Sequence, residues 1–379
     1  MKSSKFIVAI LFIAGNAIGA GVLGLPLVLS KAGFAASAMA CLILYALAMG
    51  AGSMFAGLFC ENHQRDLPTF FSRELGQWGS GVFLIAFLSL FFCLLVAYWA
   101  GLQSIFRLVT NSPWLLFFTA LIAIFLQLLG AAFLSGTVSV LTVGLIITFF
   151  ALTFLTFTHK SGNFLATGDG WVATRALPIL FCSYGFQGAI PIVCRQLDFD
   201  RKRVSRAILY GTLFPLIFNI LVLFISFGAL SADELLRGAA EGMPVFLLFK
   251  EKFSSSLFTG LGQWFSFFAI GSSLLGVTAT LSGALGDIFH RHAWYKRAEA
   301  ILVIVLPMAI ATCWAHIFVF ALEIAGGICL NVIAGILPSL AAIKRKRVGV
   351  WPWIFLCAFL YIFAVEVCNL ISVFIAGHA

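Results

Sequence analysis

Four glycines and a proline, Gly15, Gly19, Gly21, Gly24 and Pro26 in the stretch GNAIGAGVLGLP, put bare main chain where side chains would otherwise cover it. Such main chain can do two kinds of chemistry. Free N–H groups at a helix start hold an anion, and free carbonyls hold a cation. Gly19, Gly21 and Gly24 also match the G-x-G-x-x-G spacing of a dinucleotide turn. That reading needs an acid about 20 residues further on to hold the ribose. The chain there reads Ile43-Leu44-Tyr45 and its first acid is Glu61, so nucleotide binding is set aside.

A second stretch, LPILFCSYGFQGAIP, repeats the pattern with Pro178, Gly185, Gly188 and Pro191. Two acids, Glu323 and Glu366, fall inside long apolar runs, with His316 and Asp287 at the ends of others. An acid in such a run is costly and points to function. Enzyme constellations are missing: the sequence has no H-E-x-x-H, no nucleophile elbow and no close pair of intramembrane acids. No cofactor is expected. All nine cysteines sit in or at the ends of apolar runs without a C-x-x-C pair, and read as small apolar helix residues.

The elements that must position these groups follow from composition. The chain of 379 residues is 62% hydrophobic and 10% charged, which no soluble domain could cover with polar surface. Apolar runs of about 20 residues recur throughout, each long enough to cross hydrocarbon as a helix. Hydropathy, with glycine, proline and charge as punctuation, predicts eleven spans over 6–31, 33–60, 80–107, 114–131, 134–158, 171–194, 204–230, 260–288, 298–314, 316–343 and 352–376. The first imitates a signal peptide but, with ten spans behind it, reads as uncleaved. Asp66 to Trp78 reads as an amphipathic interfacial piece, and 231–259 as a surface connection with short helices.

Sixteen of the 23 lysines and arginines fall in the connections that share a side with the amino terminus. This predicts a cytoplasmic amino terminus and a periplasmic carboxyl terminus. It also accounts for the +9 charge without a nucleic-acid partner. Asp198 and Asp200, among basic residues between spans six and seven, suggest a salt-bridged gate.

Both glycine–proline stretches fall near the bilayer midplane, and five spans separate them, so the second copy is inverted relative to the first. Opened backbone survives in lipid only where it is buried or lines a cavity. Paired interruptions of this kind mark the binding site of a secondary transporter. The N–H groups of Gly19, Ala20 and Gly21 suit a carboxylate, and the carbonyls of Asn16, Ala17 and Ile18 and of Phe181, Cys182 and Ser183 suit an ammonium or a metal cation. One anion cradle beside one cation cradle fits an α-amino acid.

At these residues the chain resembles a family. GNAIGAGVLGLPLVLSKAGF is similar to the first span, and LPILFCSYGFQGAIPIV followed by DRKR to the sixth, of the hydroxy and aromatic amino acid permeases. SSLLGVTATLSGALGDIF in span eight and AGILPSL in span ten are similar too. The form of span six resembles the aromatic, tyrosine-permease-like branch more than the serine and threonine branch. The resemblance implies an all-α polytopic membrane protein with a LeuT-like 5+5 inverted repeat, broken helices 1 and 6 and an eleventh helix. Repeat one would cover 1–158, repeat two 171–343 and the last helix 352–376. It further implies proton symport and a bacterial cytoplasmic (inner) membrane.

An aromatic substrate needs an apolar slot with one polar edge contact. Tyr98 on span three, Tyr184, Gly185, Phe186 and Gln187 at the second break, and the surroundings of Leu275 on span eight lie at the depth to line it. For coupling, Glu323 is the candidate on a helix that lines the site in this fold, with Glu366 deeper but on the peripheral eleventh helix. Ser272 and Ser273 could join the first break's carbonyls as sodium ligands. Proton and sodium coupling both stay open, as do tyrosine, tryptophan and phenylalanine as cargo, a serine/threonine permease, a sensor with a transporter fold, and the oligomeric state.

Overall fold

The computed structural model describes residues 2–17, 20–62, 66–109, 114–129, 131–158, 168–241, 243–249, 256–288, 293–314, 317–345 and 349–376. Among these residues all regular structure is helical. Among the described residues eight helices are long and apolar enough to cross a membrane, and a bent pair, Lys5–Ala17 with Gly21–Val28, makes a ninth span if counted as one. Shorter apolar helices, Trp114–Leu129 and Val303–Cys313, stand where spans four and nine were expected.

Helix starts follow local chemistry. Asp200 accepts hydrogen bonds from the Lys202 and Arg203 amides and opens span seven, Arg201–Ala229. Such a cap satisfies N–H groups that have no partner inside the helix. Asp66 does the same for a connecting helix, Leu67–Leu75. Ser231 and Glu234 form a capping box at the head of a second one, Ala232–Ala240. Of the two acids expected to form a gate, Asp200 caps span seven and Asp198 occupies a tight reversal with φ of 55°.

The ion pairs of the amino-terminal face run through other residues. Arg345, at the end of span ten, holds Glu74 through Nε at 2.7 Å and Nη2 at 2.6 Å. The same guanidinium reaches Asn62 and, at 3.6 Å, Glu61, which also pairs with Arg201 at 3.4 Å. Four elements are clasped there: the ends of spans two and ten, the start of span seven and helix Leu67–Leu75.

Rings resting on glycines set the helix spacing. Phe359 of span eleven lies against Gly335 of span ten, Phe355 against Gly50, and Phe186 of span six against Gly52 of span two. Span ten departs from an ordinary helix. After Ile317–Glu323 it widens into two π-helical turns, Ile324–Leu330 and Val332–Ile336, before Leu337–Lys344. A Cβ on Gly326 would collide with the Pro178 carbonyl of span six, so glycine permits the approach. Asn331 fastens this section by donating to the Phe359 carbonyl of span eleven at 3.0 Å.

Candidate functional site

Both interruptions are present as breaks in the hydrogen-bond ladder. Span one runs helically over Lys2–Ala17 and resumes as a tight turn, Ala20–Leu23, and a short helix, Leu25–Val28, the two halves bent by 47°. Ile18 and Gly19 lie outside the described residues. Proline at the start of a helix costs no hydrogen bond, which fits Pro26 there.

Span six stops being helical after Leu177–Cys182 and resumes through Gln187–Ala189 into Ile190–Gln196. Between them the amides of Ser183 and Tyr184 turn to partners three residues back, Leu180 and Phe181. The Phe186 amide, which would donate to Cys182 in an unbroken helix, donates to Tyr184 at 3.0 Å. The Cys182 carbonyl thereby loses its helical donor and becomes the kind of oxygen an ammonium can use.

The two breaks touch. A Cβ built on Gly21 would meet the Cys182 sulfur at 3.7 Å and the Ser183 amide nitrogen at 3.9 Å. The joint is pinned from two sides. The Tyr184 hydroxyl donates to the Cys41 carbonyl of span two at 3.0 Å. Asn219 of span seven donates to the Ser183 hydroxyl at 2.9 Å, and that hydroxyl donates in turn to the Leu180 carbonyl at 2.7 Å. The Tyr98 side chain of span three stands beside Cys182 and Ser273. Span eight also packs on the Ala20–Leu23 turn, so spans one, three, six and eight meet at one place.

The remaining expected residues are distributed around this joint. Phe181 stacks toward Phe359 with ring centroids 5.2 Å apart, and Phe186 rests on Gly52; both rings are fully buried. Gln187 is 1% exposed, and neither end of its amide has a partner. Gly185 lies against Leu330 of span ten. Leu275 and Ser272 are buried on span eight, with the Ser272 hydroxyl donating to Ala269 at 3.3 Å. Ala17 is buried while Asn16 is exposed, its amide donating to Phe12 at 2.8 Å. Glu323 is half-buried; its neighbour Leu322 is the residue that faces Gly24 of span one. Glu323 lies one turn before Gly327, the glycine that Glu366 rests on, so two intramembrane acids that the sequence reading kept apart come to the same stretch of span ten. The fold, which folds span eleven back onto span ten, supplies what sequence spacing could not.

Exposure differs on the two sides of the joint. Toward the amino-terminal face Gly15, Asn16, Gly188, Ile192, Arg195, Ala279, Thr280 and Gly283 are exposed. On the far side Val22, Leu23, Leu25, Leu27 and Leu29 are buried, and helix Ala232–Ala240 packs over Leu25–Val28. Sequence reasoning missed Asn219 and the Cys41 carbonyl. Asn219 had a signal, a lone amide inside the apolar run of span seven, whereas the role of a main-chain carbonyl leaves none.

A sequence profile of the tryptophan/tyrosine permease family matches residues 2–375. The chain belongs to the tryptophan/tyrosine permease family. The permease is 27% identical to tyrosine-specific transport system 2 of Haemophilus influenzae, over 87% of this chain and 85% of that one. It is 26% identical to the tryptophan-specific transport protein of Shigella flexneri, over 92% and 88% of the two chains. Its fold is similar to that of MhsT, solved in complex with L-phenylalanine, with a TM-score of 0.60, 16% identity and 97% of each chain covered. The permease is thus an all-α, multi-pass membrane protein of LeuT-like fold, as the resemblance implied.

Proposed function

We propose that this permease imports an aromatic amino acid, tyrosine first, by proton symport and alternating access. The observation that carries the reading is the contact of the two breaks at Gly21 and Cys182, with the buried, unpartnered amide of Gln187 at the far end of the second break. In this reading the N–H groups of Gly19, Ala20 and Gly21 take the carboxylate, and the carbonyls of Asn16 to Ile18 and Phe181 to Ser183 take the ammonium. Tyr98, Tyr184, Phe186, Gln187 and Leu275 surround the ring, and Gln187 supplies the polar edge contact. Support for an aromatic cargo comes from relatives named for tyrosine and tryptophan transport and from the phenylalanine bound by MhsT.

With the amino-terminal face cytoplasmic, the exposure of Asn16, Gly188 and Thr280 on that side of the joint, against buried Val22 to Leu25 on the other, supports an inward-facing reading. Spans one, two, six and seven rock against three, four, eight and nine to reload it from outside. A sodium-coupled version has one observation in its favour, the Ser272 and Ser273 hydroxyls on the helix that packs against the first break. The experiment is uptake of labelled tyrosine, tryptophan and phenylalanine into proteoliposomes under separately imposed proton and sodium gradients. Concentration driven by the proton gradient alone supports the reading; equilibration without concentration, under either gradient, would sink it.

A further inference from the structure

The carboxyl of Glu366 in span eleven takes no part in the substrate joint. It is 0% exposed, and neither oxygen has a hydrogen-bond partner. The Asn369 amide, one turn along, donates to the Arg175 carbonyl at 3.1 Å. The acid bears on the glycine pair of the π-helical section: a Cβ on Gly327 would meet the Glu366 Cγ at 2.6 Å and the Pro178 Cβ at 2.7 Å. Gly326 next to it rests on the Pro178 carbonyl, and its Cβ would stand 3.0 Å from the Cys182 amide nitrogen. One packed chain of contacts therefore runs from Glu366 through Gly327 and Gly326 to the residue where span six breaks. π-Helical turns recur at functional sites, and this one lies between the acid and the joint.

Glu323 sits one turn before Gly327 on span ten, the glycine against which the Glu366 side chain rests. Of the other charged groups on the elements packed against span eleven, Arg175 comes nearest, its carbonyl bound by Asn369 one turn from Glu366. Arg175 is exposed beyond the start of Leu177–Cys182, while Glu61 and Lys344 end spans two and ten at the amino-terminal face. A carboxylate in a dry junction is disfavoured, and two near each other more so. The neutral acid suits the packed junction; the carboxylate suits a hydrated, opened one.

We propose that Glu366, paired with Glu323, is the proton site of the permease. A hydrated proton from the loading side converts the carboxylate to the acid, which lets span ten close on Pro178. Release of that proton to water on the other side regenerates the carboxylate and parts the contact. The inference rests on the proton-symport reading above.

The test uses proteoliposomes with labelled tyrosine, an imposed pH gradient and an entrapped pH dye. At one proton per substrate each unit of pH gradient supports about tenfold accumulation. Glu366→Gln is expected to lose that accumulation and the substrate-driven proton influx while tracer exchange across the membrane continues. Glu323→Gln, which removes the neighbouring charge, is expected to shift the pH of half-maximal uptake. A Glu366→Gln protein that still accumulates tyrosine under the pH gradient overturns the proposal and leaves proton symport standing. A wild-type protein driven by sodium alone overturns both. Where Glu366→Gln does not insert, an unchanged pH profile in Glu323→Gln overturns the pairing.

Discussion

Gly21 and Cys182 meet across the two broken spans, with 3.7 Å between the Cys182 sulfur and the position a Cβ on Gly21 would take. That spacing is ordinary van der Waals contact, so a methyl fits and a branched side chain does not. Gly21→Ala is expected to keep uptake within a few-fold of wild type. Gly21→Leu should lower uptake by about a hundredfold, the scale of an ångström-sized misplacement at a reacting or binding centre. Both proteins should insert at normal levels. Equal uptake by the two variants would mean the joint is not where substrate is held.

Tyr184 and Asn219 pin the same short break, so their effects should not add. Tyr184→Phe and Asn219→Ala are each expected to cost about 1 kcal/mol, the net value of one buried hydrogen bond. The double variant should depart from the sum by about 0.5 kcal/mol or more, because neighbours that share one element couple. Equilibrium unfolding in mixed micelles measures this cycle, and strict additivity would show that the two pins act on independent structures.

Gln187 offers a bare buried amide at the second break. A site that hydrogen-bonds a substrate hydroxyl rejects the analogue lacking it, since its own polar group is then left unpaired. Gln187→Leu is expected to reduce the preference for tyrosine over phenylalanine by about tenfold or more. Competition of the two amino acids for labelled uptake reads the ratio directly, and an unchanged ratio would remove Gln187 from the recognition of the ring.

Arg345 neutralises a buried partner, the Glu74 side chain being 6% exposed. Arg345→Ala strands that carboxylate and is expected to destabilise the protein by roughly 3 kcal/mol, the cost of breaking a buried pair from one side. Glu74→Gln on the same background should return part of the loss, because the stranded charge is gone. Thermal melts of the single and double variants would expose the contrary case, in which the second substitution only adds to the damage.

The fold was legible because its signals are long. A run such as Gln77–Val109 has room for composition to speak, and the charges that flank each run mark its ends. The two breaks were legible as well, since glycine and proline at Gly21, Pro26, Gly185 and Pro191 act on the backbone locally. What stayed hidden needs a third dimension. Nothing in the spacing of Glu323 and Glu366, 43 residues apart in the chain, brings them together. That takes the return of span eleven along span ten, fixed by Phe359 on Gly335 and by Asn331. The π-helical section was illegible for the same reason: the Pro178 carbonyl packed against its Gly326 comes from another span. At Asp200 the charge pattern gave no sign of the second role the structure shows, the cap that opens span seven.

The central claim is that main chain at the two breaks grips both charged ends of the amino acid. Equilibrium competition against labelled tyrosine on the purified protein, using tyramine, which lacks the carboxylate, and N-acetyltyrosine, whose amine is masked, tests it most directly. A hydrogen bond to a charged group contributes about 1.5–3 kcal/mol, so each analogue should bind at least about tenfold more weakly than tyrosine. Either analogue competing as well as tyrosine would contradict the account.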